Sequence, residues 1–264
     1  MKISAAQMIS GPAIAPNLET AERLIAEAAH AGAKLVALPE YFPFIGASDS
    51  ERLRAREMPG RGVLQDFLSQ SAKRHQVWLV GGSIPFTAHA QDKLRNTCLI
   101  FDPEGKQVGR YDKMHLFSFQ KGAESYDESL TIEPGDCPVT IVSPFGKIGL
   151  GICYVLRFPE LFRAMGQINL LVIPAAFTET TGRDHWEVLL RARAIENQCY
   201  VLASAQGGLH PGGRLTHGNS MIIDPWGAVL ARLDKGEGCI SAEMDLNKLA
   251  AVRESLPALR HRIL

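Results

Sequence analysis

The 264-residue sequence predicts an α/β protein in which two mixed β-sheets stack on each other and helices cover their outer faces, within one domain spanning residues 1–264. Three observations carry this expectation. Helical and strand periodicities alternate from the start of the chain, hairpin signatures take over in the middle and recur near the end, and no Gly/Ser-rich or charged linker intervenes.

The segment 17–30 places Leu18, Ala21, Leu24, Ile25 and Ala28 on one helical face, with Asn17 as cap and Gly32 as stop. The apolar run LVAL at 35–38 follows as a buried strand. This pair repeats as a helix over Val63–His75 and a strand VWLVGG at 77–82. TCLIF at 97–101 and KQVGRYDK at 106–113 flank Asp102-Pro103-Glu104-Gly105, a turn-forming set that predicts a hairpin. A second hairpin joins 139–142 to KIGLGIC at 147–153, and a third joins 219–224 to 228–233 through Pro225-Trp226-Gly227. Between these two, FPELFRAMG and DHWEVLLRARAIENQ read as helices separated by the strand NLLVIP and followed by the strand CYVLASAQ. The stretch from Leu116 to Asp136 is longer than a connection needs and reads as an irregular loop lining a site.

Composition excludes several classes of function. Lys plus Arg balance Asp plus Glu at 28 each, so no basic field exists to hold nucleic acid or an anionic membrane, and a small-molecule substrate fits better. The opening MKISAAQMIS is too short for a signal core, and no later run approaches about 18 apolar residues, so the expected location is the cytoplasm. The five cysteines are scattered without a Cys-x-x-Cys pair, and no His-x-x-x-His pair sits on a helical pattern. Neither a disulfide framework nor a metal is expected, and no cofactor is implied.

Three reactive side chains share a setting. Glu40 closes LVALPE, Lys113 closes GRYDK and Cys153 closes KIGLGIC, and strand ends can gather distant residues at one sheet edge. A thiol is mostly protonated at neutral pH and needs a base, which Glu40 can be, or a cation, which Lys113 can be. An ammonium and a backbone N–H after Cys153 would serve a developing oxyanion. A cysteine ending an apolar strand is more often core filler, and a loop Glu or Lys is more often merely solvated, so spacing alone leaves both readings open.

The motifs LVALPE, GRYDKMHLF and GLGICYVLRFPEL, in this order and at these separations, resemble the signature segments of the nitrilase (carbon–nitrogen hydrolase) superfamily over essentially the whole chain. The resemblance implies a four-layer α-β-β-α sandwich and a catalytic triad of Glu40, Lys113 and Cys153. It also implies a second glutamate between Lys and Cys, which Glu128 of ESLTIEPGD fits better than Glu124. The C-terminal half resembles the Nit branch, which includes deaminated glutathione amidase and omega-amidase, and is closer to the former. That implies hydrolysis of a carboxylated 2-oxo acid amide through a cysteine thioester. The alternatives are omega-amidase action on 2-oxoglutaramate and a non-catalytic scaffold that keeps the fold. Relatives specialised for nitriles generally carry Cys-Trp-Glu, whereas this chain has Cys153-Tyr154-Val155, which implies a preference for amides. Family members commonly form dimers or larger homo-oligomers, partly through segments such as ESLPALRHRIL.

The branch usually has Asp where this chain has Val155, and that either alters the site or falls at a tolerant position. Arg157 offers a planar fork for a substrate carboxylate, with an ion pair to Glu160 as its structural alternative. Tyr154, His115 and Arg183 are the other candidate substrate contacts: His115 would share the face of Lys113 in a continued strand, and Arg183, with His185, precedes a predicted helix. Trp186 reads as core or pocket wall.

Overall fold

The short apolar opening of the chain is a central strand. In the computed structural model, which describes residues 1–46, 49–122 and 124–263, β1 (Lys2–Gln7) pairs in parallel with β2 (Leu35–Ala37) and antiparallel with β15 (Gly238–Glu243). The sheet continues through β3 (Trp78–Val80), β5 (Leu94–Phe101) and β4 (Ile84–Thr87), with β6 (Gln107–Asp112) also on β5. A second sheet has the order β14-β13-β12-β11-β10-β9, formed by β9 (Val139–Ser143), β10 (Gly146–Leu150), β11 (Leu170–Ala175), β12 (Tyr200–Ala205), β13 (Ser220–Ile223) and β14 (Val229–Leu233). Both sheets mix parallel and antiparallel neighbours.

Strand periodicity builds the layers. Ile3, Ala5, Leu35, Ala37, Cys98 and Ile100 point into an apolar cluster shared with Ile148, Leu150, Val172 and Leu202 of the other sheet. Their alternates Ala6, Val36, Leu99 and Phe101 point the opposite way, into a cluster with Leu24, Ile25, Leu68 and Ala72 of α1 (Ile14–His30) and α2 (Val63–His75). That two-residue alternation lets one strand serve two cores. Trp186, Leu190 and Ala194 of α4 (Glu179–Asn197), with Leu161 and Phe162 of α3 (Pro159–Ala164), cover the far side of the second sheet. The expected α-β-β-α order of layers is therefore present. A last helix, α5 (Leu246–Ser255), is tied down where Arg253 donates to the carbonyls of Gln198 and Ile168.

Several local expectations change. Asn17 does not cap α1, which begins at Ile14; its side chain bonds both backbone groups of Gly11 and the carbonyl of Pro43, stitching loops beside the site. Gly32 does end the helix, at φ +89°. Helix α4 begins five residues before the predicted Asp184 because Thr178 caps it, accepting from the Thr181 N–H at 3.3 Å; its first turn has no apolar periodicity to reveal it. The stretch from Leu116 to Asp136 is not a bare loop: β7 (Ser118–Lys121) and β8 (Glu124–Asp127) form a hairpin, followed by a 3-10 turn at Glu128–Leu130. Both faces of that hairpin are largely exposed, so hydrophobic alternation is absent. Positions 123 and 264, within this stretch and the C-terminal segment read above, lie outside the described residues. Among the described residues no helix is long and apolar enough to cross a membrane.

Candidate active site

Glu40 and Cys153 do not end strands; each lies three residues beyond one. Strand β2 stops at Ala37, and the next residues turn through Tyr41, which sits at φ +55° with its N–H on Ser83 Oγ at 3.0 Å. Strand β10 stops at Leu150, the Gly151 N–H reaches the Val172 carbonyl at 3.0 Å, and Cys153 adopts φ +51° as the first residue of a 3-10 turn, Cys153–Arg157. A left-handed conformation is costly for residues with a side chain and is held only where surrounding contacts fix it. Lys113 directly follows β6, with its N–H on Asn96 and its carbonyl accepting from Gly135. A Cβ on Gly135 would lie 2.3 Å from the Asp112 carbonyl oxygen, so only glycine lets the chain pass this close.

These three turns meet at one end of the sandwich. Lys113 Nζ donates to Glu40 Oε1 at 2.9 Å and to Glu128 at 2.9 and 2.8 Å from its two carboxylate oxygens. Glu40 Oε1 also accepts from Asn96 Nδ2 at 2.9 Å, and Oε2 accepts from the Ala176 N–H at 2.9 Å. The Cys153 thiol lies beside Glu40 and the Ala176 N–H, both close enough to influence its ionisation. Glu128 accepts further bonds from the Tyr41 hydroxyl and the Phe117 N–H, both at 2.7 Å. Glu40, Lys113, Glu128 and Cys153 are all buried.

The electrostatics follow from this burial. Burial, then the neighbouring Glu40 carboxylate, push the Cys153 thiol well above its ordinary pKa, and Lys113 only partly opposes them. The resting nucleophile is therefore a thiol beside the Glu40 carboxylate. For Lys113, burial disfavours the ammonium, but the attraction of Glu128 and Glu40 outweighs it and keeps the group charged. Burial likewise works against the Glu128 carboxylate, yet Lys113 and the donors around it hold its pKa below the ordinary value. The result is a fixed ammonium beside a protonated nucleophile and a base. The first two amides of the 3-10 turn, those of Cys153 and Tyr154, have no carbonyl one turn earlier to bond within that turn. With Lys113 they can meet negative charge developing on a carbonyl oxygen next to the sulfur.

A narrow pocket opens onto Glu40, Glu128 and Cys153, walled by Phe117, Tyr154, Arg157, Phe177, Thr178, Thr181 and Arg214; Lys113 lies behind them and does not line it. Two of the candidate substrate contacts, Tyr154 and Arg157, line it. Arg157 makes no ion pair with Glu160; its Nη1 meets His185 Nδ1 at 3.1 Å, and its guanidinium lies over the rings of Phe177 and Tyr154. His115 and Arg183 do not line the pocket. Strand β6 ends at Asp112, so His115 no longer alternates with Lys113, and its ring stacks on Phe158 at 3.8 Å behind the Cys153 turn. Arg183 lies inside α4 with its side chain 69% exposed, beside Asp184. Trp186 is core, as read, and its Nε1 donates to the Asn219 carbonyl. Sequence reading missed Tyr41, Asn96, the Ala176 N–H, Thr181 and Arg214, none of which sits in a strand-end motif.

Val155 is fully buried in the apolar cluster between the second sheet and its helices, where its Cγ2 packs against Gly151. Val155→Asp is therefore expected to cost about 2 kcal/mol or more, because it moves a carboxylate into an apolar cluster. Thermal denaturation beside kcat/KM measures this; a gain in activity would show that the acidic side chain orients the site.

A larger surface groove beside α5, lined by Arg163, Gln198, Arg253 and Arg260, contains none of the reactive groups. Among the described residues no cluster of three or more His, Cys, Asp or Glu side chains is arranged to hold a metal ion.

The chain and its fold have close counterparts. The chain is 44% identical to a deaminated glutathione amidase of Synechocystis, over 98% of this chain and 97% of that protein. It is 40% identical to the omega-amidase NIT2-A of Xenopus laevis, over 99% of this chain and 94% of that one. The solved structure of Nit3 from Saccharomyces cerevisiae, a member of branch 10 of the nitrilase superfamily, superposes with a TM-score of 0.90 at 32% identity, covering 100% of this chain and 97% of that one. The resemblance read from the three motifs is borne out. With the carbon-nitrogen hydrolase model matching residues 2–254, this chain belongs to that family of enzymes.

Proposed function

We propose that this enzyme hydrolyses the C–N bond of a carboxylated 2-oxo acid amide of the deaminated glutathione type, with Cys153 as nucleophile, Glu40 as general base and acid, and Lys113 as oxyanion donor. The observation that supports the reading is that the Cys153 thiol and the Glu40 carboxylate line one pocket, with the Lys113 ammonium bonded to Glu40 behind them. Because the Cys153 thiol is held protonated, Glu40 takes its proton as the sulfur attacks the amide carbon. Lys113 Nζ and the Tyr154 N–H receive the oxyanion. When the C–N bond breaks, Glu40 returns the proton to the departing amine and a thioester remains on Cys153. Water then attacks that carbonyl as Glu40 removes its proton, the C–S bond breaks, and the thiol is restored. Glu128 keeps Lys113 charged and in place.

The relatives named above support both amide substrates. A scaffold role accords poorly with a buried lysine and two buried carboxylates, whose desolvation is costly and serves no packing purpose. Comparing kcat/KM for the deaminated dipeptide conjugate, free 2-oxoglutaramate, a simple aliphatic amide and an aliphatic nitrile tests all of these. The conjugate is expected to lead and the nitrile to come last. A lead for 2-oxoglutaramate moves the enzyme to the omega-amidase reading, and a lead for the nitrile overturns the amidase assignment.

The same reading makes the protein a cytoplasmic homo-oligomer that repairs metabolites. Support for association comes from exposed Val188 and Ile195 on α4, next to exposed Trp226 at the β13–β14 turn.

A further inference from the structure

Two guanidinium groups line the pocket, and neither has a carboxylate partner among the described residues. Arg157 meets only His185 and aromatic faces. Arg214 makes one long bond, from Nη2 to the Ala176 carbonyl at 3.3 Å; its Nε is buried and bonds nothing, and its guanidinium lies 5.4 Å from the centre of the Tyr126 ring. Beneath them, Glu40, Glu128 and Lys113 together carry one net negative charge if all three are ionised. The two arginines reverse that sign at the wall of the pocket, where an anionic group gains most from them.

Arg214 is also held rigidly. It sits in a small hairpin in which the His210 N–H bonds the Arg214 carbonyl at 2.9 Å and the Gly213 N–H bonds the His210 carbonyl at 2.8 Å. His210 is buried and pinned on both ring nitrogens, to the Ser10 carbonyl and to Thr216 Oγ1. Thr216 bridges to Thr178, at the cap of α4. A guanidinium with a spare buried N–H on a backbone fixed in this way is prepared for an oxyanion at little ordering cost.

Arg157 belongs to the turn that carries Cys153. Arg214 belongs to the separate 210–216 hairpin and faces Tyr126 of the β7–β8 hairpin, whose strands are largely exposed. We infer that Arg214 is a specificity-determining residue that binds a carboxylate on the departing amine, selecting amides whose amine is an amino acid or short peptide over free amides. This rests on the amidase reading above.

The test uses three substrates with one common acyl group, 2-oxoglutaryl, joined to ammonia, to ethylamine and to a glycine-terminated dipeptide. The quantity read is the ratio of kcat/KM for the dipeptide conjugate to that for the ethylamide, which cancels any loss of active enzyme in a variant. Arg214→Gln is expected to lower this ratio about tenfold to a hundredfold, the size of a charge-assisted contact, through KM rather than kcat; Arg214→Lys should lower it less. Arg157→Gln is expected to weaken all three substrates and to keep the ratio. An unchanged ratio in Arg214→Gln, or a parental enzyme with no preference for the conjugate, overturns the inference while leaving the amidase reading in place. A parental enzyme that cleaves none of the three overturns both.

Discussion

Cys153→Ala is expected to lower kcat by at least about 10,000-fold on every amide that the parent cleaves, since no other group in the pocket can form the acyl intermediate. The fold should survive, because the change removes one sulfur from a site that already opens onto a cavity. Mass spectrometry of acid-quenched parental enzyme during turnover should show the acyl adduct on the peptide carrying Cys153, and the variant should show none. Glu40→Gln should approach the same loss, as the Cys153 proton then has no acceptor. Turnover by Cys153→Ala within tenfold of the parent would exclude the covalent route.

Lys113→Met is expected to abolish activity and, unlike Cys153→Ala, to destabilise the protein by about 3–5 kcal/mol, the usual cost of removing one partner from a buried ion pair. The Lys113 side chain is 0% exposed and holds two carboxylates that are themselves buried. Stability against pH gives a sharper readout. In the parent, the Glu128 pKa is held below its ordinary value of 4.5, so its contribution is present above that value and is lost as pH falls through the lowered folded value. Without Lys113, Glu40 and Glu128 lack their shared cation, and one of them must bind a proton more tightly in the folded state than in the unfolded state. The variant should therefore gain stability as pH falls from 7 towards 5, where the parent shows no such gain. Denaturant unfolding at several pH values measures this, and parallel curves for the two proteins would show that Lys113 is not the cation holding the pair together.

The candidate site was legible where chemistry and motif coincide. Glu40 and Cys153 follow apolar runs, Lys113 closes GRYDK, and the resemblance of these motifs to the superfamily, which also pointed to Glu128, led their convergence to be expected. The substrate contacts were less legible. Arg157 and Tyr154 follow the nucleophile on the same turn, and that proximity puts both on the pocket wall. His115 was misplaced because strand alternation was continued past Asp112, where β6 ends. Arg183 was misplaced because the start of α4 is set by Thr178, whose capping role is not marked by hydrophobic periodicity. Arg214 lies in a glycine-rich stretch without periodicity, and only the bonds of His210 and Thr216 show that this stretch is fixed and faces the pocket.

The sequence by itself determined the alternation of helices and strands, the three hairpins and the layered α/β class, which depend on local periodicity and turn chemistry, properties of neighbouring residues. Glu40, Lys113, Glu128 and Cys153 were expected as one set only from the resemblance of their motifs to the superfamily. Only the tertiary structure decided that the opening residues form a central strand paired with β15 at the far end of the chain, because such pairing depends on partners more than 200 residues away. It alone decided that Lys113 is shared between Glu40 and Glu128 and that the Cys153 thiol stays protonated, since burial and the distances between charges set both. It also decided which arginine faces the pocket: a guanidinium carries the same charge wherever it stands in the sequence, and only its surroundings determine whether that charge is paired, solvated or directed at a substrate.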